Sequence, residues 1–85
     1  MHDENLAEQV REIMTDTFGI DELDLPENPT QATFGRWTSV LHMVLLVALE
    51  ERFERSFSMD EMISMTSLEH IVDVLRSKEV VGLPR

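Results

Sequence analysis

No cysteine occurs in the 85 residues. Neither a disulfide framework nor a thiolate metal site can therefore form, and thiol usage says nothing about the redox compartment. Basic residues are also scarce: seven Lys and Arg face seventeen Asp and Glu, for a formal charge of −10. Binding nucleic-acid phosphates takes clustered Lys and Arg, so the expected partners include no nucleic acid, and a basic patch on another protein is the natural complement. Long hydrophobic runs are missing too. The longest, Met43 to Leu49, falls far below the ~20 residues of a membrane span, so no membrane span is expected. The opening Met1-His2-Asp3-Glu4-Asn5 is polar and acidic and does not read as a signal peptide, which makes the cytoplasm the expected compartment. His2, His42 and His70 are far apart, and the acids lack the alternating Asp spacing of a calcium loop, so no metal site is expected. The chain length predicts one small domain over 1–85, too small to enclose a deep active site of its own.

What is present is helical. Leu6, Val10, Ile13, Met14 and Phe18 recur at helical spacing, and Asn5 with Glu8 has the form of a cap and its partner, predicting a first helix over 5–18. Gly19 suits a left-handed C-terminal position. From Ile20 to Arg36, Pro26, Asn28 and Pro29 interrupt any period, which predicts a long ordered loop anchored by Ile20, Leu23, Leu25 and, most strongly, Phe34. Ser39 to about Arg55 is rich in Leu, Met, Ala and Glu without Gly or Pro, the makings of a second helix. Ser58-Met59-Asp60-Glu61 and Thr66-Ser67-Leu68-Glu69 both fit a capping box, opening a short third helix, stapled by Phe57 and Met62, and a fourth that runs to Ser77 or Lys78. The ordered core is expected over about 5–78, with a frayed tail at 79–85. No strand pattern, repeat or low-complexity tract is present.

The second helix carries the most information. Val40, Leu41, Met43, Val44, Leu45, Leu46, Val47, Ala48 and Leu49 wrap nearly every face, with His42 the sole polar interruption before Glu50. Other helices of so small a domain cannot cover all of it, so some of Leu41, Val44 and Val47 should reach solvent or a partner. At its start stand Thr38 and Ser39. Either hydroxyl can serve as an ordinary N-cap. A phosphate joined to Ser39 would also lie in the favourable field of the helix N-terminus, where backbone N–H groups lack intrahelical partners.

A long helix, a long loop, a central helix opening at a serine, a short helix and a final helix follow one another in an acidic chain. In this order the sequence resembles the acyl carrier protein family, from about Leu6 to Lys78. The most specific segment is Trp37-Thr38-Ser39-Val40-Leu41-His42-Met43-Val44-Leu45-Leu46-Val47-Ala48-Leu49-Glu50-Glu51-Arg52-Phe53, which is similar to the family's Asp-Ser-Leu attachment motif and its Ala-Leu-Glu-Glu-x-Phe ending. Phe57 with Asp60-Glu61, and Met65-Thr66-Ser67-Leu68, resemble the family's entries into its third and fourth helices. The resemblance implies an all-α, acyl-carrier-like four-helix bundle with a long loop between helices one and two and a short third helix. It implies a 4′-phosphopantetheine arm on Ser39, holding acyl intermediates as thioesters for a phosphopantetheinyl transferase and for acyl-loading and acyl-receiving enzymes such as a ligase, acyltransferase or ketosynthase. The chain would be a monomeric carrier and not a catalyst. Trp37 and His42, beside the arm, are similar to carriers of specialised pathways such as polyketide biosynthesis. Thr38, Val40, Leu41, Val44, Val47 and Glu51 would form the docking surface.

Two departures alter what the resemblance implies. Thr38 stands where most members carry an aspartate, and a neutral hydroxyl lacks the charge that the transferase's magnesium prefers, though it can still cap the helix. Leu41 and Val44 are apolar where negative residues usually lie, exchanging electrostatic steering for burial at roughly 25 cal/mol per Å². Glu50, Glu51 and Glu54 keep an acidic end that either meets basic partners or is merely solvated. Six methionines would make a core that could part for an acyl chain, although methionine at helical spacing also serves simple packing. A reading from a different class remains beside the carrier: an acidic helical interaction module, never pantetheinylated, that binds through Leu41, Val44 and Val47. A third, with Ser39 as nucleophile and His42 as base, has no identifiable orienting acid.

Overall fold

The periodic segments fold into α1 (His2–Phe18), α2 (Ser39–Phe53), α3 (Met59–Ser64) and α4 (Leu68–Gly82), with one 3-10 turn at Glu22–Asp24. The computed structural model describes the backbone of residues 2–82 and the side chains of 6–78. Among the described residues there is no strand, only an isolated antiparallel bridge between Thr30 and Ser67, and the fold is all-α. No described helix is long and apolar enough to cross a membrane.

The core is the sum of the buried stripes. Leu6, Val10, Ile13, Met14 and Phe18 of α1 meet Leu45, Leu46 and Leu49 of α2 and Leu68, Ile71, Val72 and Leu75 of α4, with Leu25, Trp37, Phe57 and Met65 from the connections. α1 packs on both α2 and α4. The methionines divide: Met14 and Met65 are fully buried, whereas Met43 and Met59 lie on the surface.

Helix ends follow local chemistry. Gly19 takes φ 68°, and its N–H and that of Ile20 both close on the Thr15 carbonyl, the left-handed termination its lack of a Cβ permits. α2 ends two residues before the expected Arg55, with Glu54 left-handed at φ 55° and its N–H on the Glu50 carbonyl. At α3 the capping box forms in full: Ser58 Oγ accepts from Glu61 N–H, and Glu61 Oε1 accepts from Ser58 N–H at 2.8 Å. The Ser58 N–H and then Lys78, at 3.0 Å, hold the Glu61 carboxyl below its ordinary value.

Three local expectations are corrected. α1 begins at His2, so Asn5 lies within the helix and is not its cap. The cap of α4 is Ser67, whose Oγ accepts from His70 N–H, in place of Thr66 with Glu69. The bridge explains the shift: Thr66 gives its carbonyl to Gln31 N–H, and Leu68 N–H is taken by Pro29 O, which commits the Thr66 backbone to the long loop. α4 then continues through Glu79 to Gly82, beyond the expected end, because Glu-Val-Val offers nothing that breaks a helix; the rest of the expected tail, 83–85, lies outside the described residues.

The loop between α1 and α2 is held at three places. Arg11 of α1 donates to the carbonyls of Pro26 (2.7 Å), Glu27 (3.0 Å) and Leu25 (3.1 Å) and pairs with Glu22 at 3.5 Å. The Thr30–Ser67 bridge joins its middle to the α3–α4 turn. Its end is sealed by aromatic packing, with Phe18 edge-on to Phe34 at 5.5 Å and tilted against Trp37 at 5.7 Å. Of the expected anchors, Leu25 is buried while Ile20 and Phe34 are half-buried against the core. Trp37 is sunk deeper than Phe34, at 2% exposure. Leu23 is no anchor: the 3-10 turn points it outward, 95% exposed.

Arg11→Ala should lower the unfolding free energy by about 1.5–3 kcal/mol, because several carbonyls lose a charged donor together. Arg11→Lys should recover only part, since one ammonium cannot span the guanidinium's fork. Chemical denaturation followed by Trp37 fluorescence measures both; an unchanged midpoint in Arg11→Ala would show that the loop holds without the clamp.

Candidate functional site

The start of α2 is built by the residues before it. Trp37 is buried, so its backbone is fixed by side-chain packing, and its N–H bonds the Phe34 carbonyl at 3.0 Å. Thr38 follows in extended conformation and is the N-cap: its Oγ1 accepts from Leu41 N–H at 3.2 Å, and its carbonyl accepts from His42 N–H at 2.8 Å. Ser39 is thus the first helical residue and is exposed. Capping and presentation are divided between the two hydroxyls. The first turn of α2 carries no acid, so the positive end of the helix dipole is not neutralised by the helix itself.

His42 is half-buried and engaged through both ring nitrogens. Its Nδ1 accepts from Trp37 Nε1 at 3.0 Å, and its Nε2 lies 3.1 Å from the Met62 carbonyl. An indole only donates and a carbonyl only accepts, so these partners assign the neutral Nε2–H tautomer. The ring is half-buried, tilted over Trp37 at 5.9 Å. Neither nitrogen is directed at Ser39, and the nucleophile–base pairing considered from sequence is not formed. His42 is a joint between the loop, α2 and α3.

The predicted docking residues separate into two groups. Val40, Val44, Val47 and Glu51 are exposed, with Thr38 at the head of the helix. Leu41 is half-buried against the core and does not belong to the outer stripe, because its position on the helix turns it toward the packed side. Glu50 is half-buried, and its Oε2 accepts from Phe57 N–H at 3.0 Å, fixing the α2–α3 connection; it is not simply solvated.

Residues not singled out from sequence also matter. Met43 is 56% exposed beside Val40 and Val47, and on α3 Met59 and Ile63 are exposed. Met43 belonged to the apolar run of α2, and its spacing of three from Val40 was the available signal. The spacing of four between Met59 and Ile63 was equally visible, but in so short a helix it does not tell an outward face from an inward one.

No protein-family model matches the chain, and no curated protein matches it.

His42→Ala should leave the Trp37 N–H without its acceptor inside the core and cost about 1–3 kcal/mol of stability. Denaturation monitored through Trp37, the sole tryptophan, measures it. A loss below about 0.5 kcal/mol would mean that the indole finds water or another acceptor, and that the joint is dispensable.

Proposed function

We propose that this protein is an acyl carrier, with Ser39 Oγ as the attachment point of a 4′-phosphopantetheine arm. The single observation that carries this reading is the exposed hydroxyl at the first position of α2, presented by a buried Trp37 and spared from capping duty by Thr38. The residues fit the group. Ser39 Oγ is accessible to a modifying protein, and a phosphodiester there would meet the open end of the helix dipole with no acid in the first turn to oppose it. The arrangement of four helices, with a long loop before α2 and a short α3, supports the acyl-carrier-like bundle.

When bound, the arm supplies the thiol that a chain without cysteine lacks. The chain's own residues do the rest. Thr38 keeps the helix end closed, Trp37 and His42 hold that end against the loop and α3, and α2 displays Ser39 to visiting enzymes. Tethering a substrate raises its effective concentration at each partner's active site without any catalytic group on the carrier. The partners in this reading are a phosphopantetheinyl transferase and the enzymes that load and unload the acyl group, in a specialised pathway of polyketide or fatty-acid type.

Intact mass after incubation with coenzyme A and a broad-specificity phosphopantetheinyl transferase tests the reading. The expected result is one phosphopantetheine on wild type and none on Ser39→Ala. Absence of an adduct on the wild type with every transferase tried would leave an unmodified interaction module as the better description. Thr38→Asp should speed labelling, since a carboxylate also caps the helix and adds a hard ligand near the transferase's magnesium. An unchanged rate would show that the missing acid does not limit modification.

A further inference from the structure

The two partners of His42 are of fixed and opposite kind. The Trp37 indole can only donate and meets Nδ1 at 3.0 Å, and the Met62 carbonyl can only accept and lies 3.1 Å from Nε2. Only the neutral ring makes both contacts at once. A proton added at Nδ1 would set two N–H groups against each other on the loop side. The Nε2–H bond to Met62 would persist and gain strength from the charge. The joint is therefore directional: a proton breaks its hold on the loop and leaves its hold on α3.

No carboxylate among the described residues pairs with the ring. On the loop side the neighbouring charge is Arg36, next to Trp37 in sequence and exposed. On α3, Asp60 is exposed, and Glu61 is engaged with Ser58 N–H and with Lys78 of α4. On α2 the next charge is Glu50, about two turns further along and bonded to Phe57 N–H. α1 reaches the junction through the uncharged Phe18. The response is thus left to the indole and the carbonyl. Trp37 is only 2% exposed, so an indole N–H that loses its acceptor reaches water only if the ring moves, and the backbone it anchors leads directly into the Thr38 cap. His70 has no such constraint: it is exposed, and its Nδ1 lies 3.0 Å from Ser67 Oγ, a hydroxyl able to donate to the neutral ring or accept from the protonated one.

We propose that His42 is a proton-operated joint: uptake of a proton releases the Trp37 indole and loosens the junction between the loop and α2, while α3 stays attached through Met62. The inference does not rest on the carrier reading, since it requires no group on Ser39. Its failure leaves labelling of Ser39 unaffected, and failure of labelling leaves it standing.

Nuclear magnetic resonance of the full, unmodified chain tests it, following the His42 ring nitrogens and the indole N–H of Trp37, the sole tryptophan, from about pH 8 to pH 5, the span in which histidine side chains ordinarily change charge. The indole signal should move along the same curve as the His42 ring and exchange with water at least about tenfold faster at the acid end. The amides of Met62 and Met65, bonded within α3 and its cap, should keep their protection. His42→Gln is the counterpart that cannot titrate, because its amide oxygen can accept from the indole and its NH2 can donate to Met62; its indole signal should stay in place. His70→Gln should respond as wild type does, and these two proteins decide the matter if His42→Gln does not fold. The proposal is overturned by an indole signal that still moves in folded His42→Gln, or by one that stays in place while His42 gains its proton. A ring that remains neutral across the whole span, or loss of the α3 amides together with the indole, overturns it too.

Discussion

Burial of the Trp37 indole is the constraint on which the presentation of α2 depends. The ring sits at 2% exposure against Phe18, its N–H satisfied by His42, and the chain leaves it directly into the Thr38 cap. A loop of some twenty residues has many conformations, and freezing them takes interactions that outweigh the lost entropy. An aromatic ring of this size, packed on another and hydrogen-bonded at its one polar atom, is the strongest anchor available in this chain. Two residues later stands Ser39, and its exposure follows from that geometry: with Trp37 turned inward and Thr38 closing the helix end, the next side chain faces solvent.

The same junction links elements distant in sequence. His42 receives the indole N–H on one nitrogen and reaches the Met62 carbonyl with the other, so a single neutral imidazole ties the loop to α2 and α2 to α3. Glu50 repeats the tie at the far end of α2 through Phe57 N–H. α3, with only six residues, could not hold its place by propensity. It depends on these two contacts, on the capping box at Ser58 and on the Glu61–Lys78 pair. The loop has its own counterpart in Arg11, whose guanidinium gathers the carbonyls of Leu25, Pro26 and Glu27.

α2 combines core and surface in one apolar helix. Leu45, Leu46 and Leu49 face inward, and Val40, Met43, Val44 and Val47 face outward, with no change of residue class between them. A helix of this kind has little amphipathic direction of its own, and its orientation is set by what the other helices leave uncovered. Under the proposed carrier reading, the outward aliphatic residues near Ser39 would make recognition depend on burial more than on charge.

Helix content, the order of the elements, the break at Gly19 and the full capping box of α3 were legible in the residues, because each depends on side chains within about four positions of one another. So was the serine at the head of α2. Local chemistry alone did not settle which of two adjacent hydroxyls caps α4, since the Thr30–Ser67 bridge commits the backbone around Thr66 to a loop more than thirty residues away. Nor did it reveal that Leu23 points to solvent, that Arg11 clamps the loop, that His42 is a joint, or which side of α2 lies open. Those outcomes depend on contacts between residues remote in sequence, and apolar residues arranged around every face of a helix leave its direction undetermined until its neighbours pack against it.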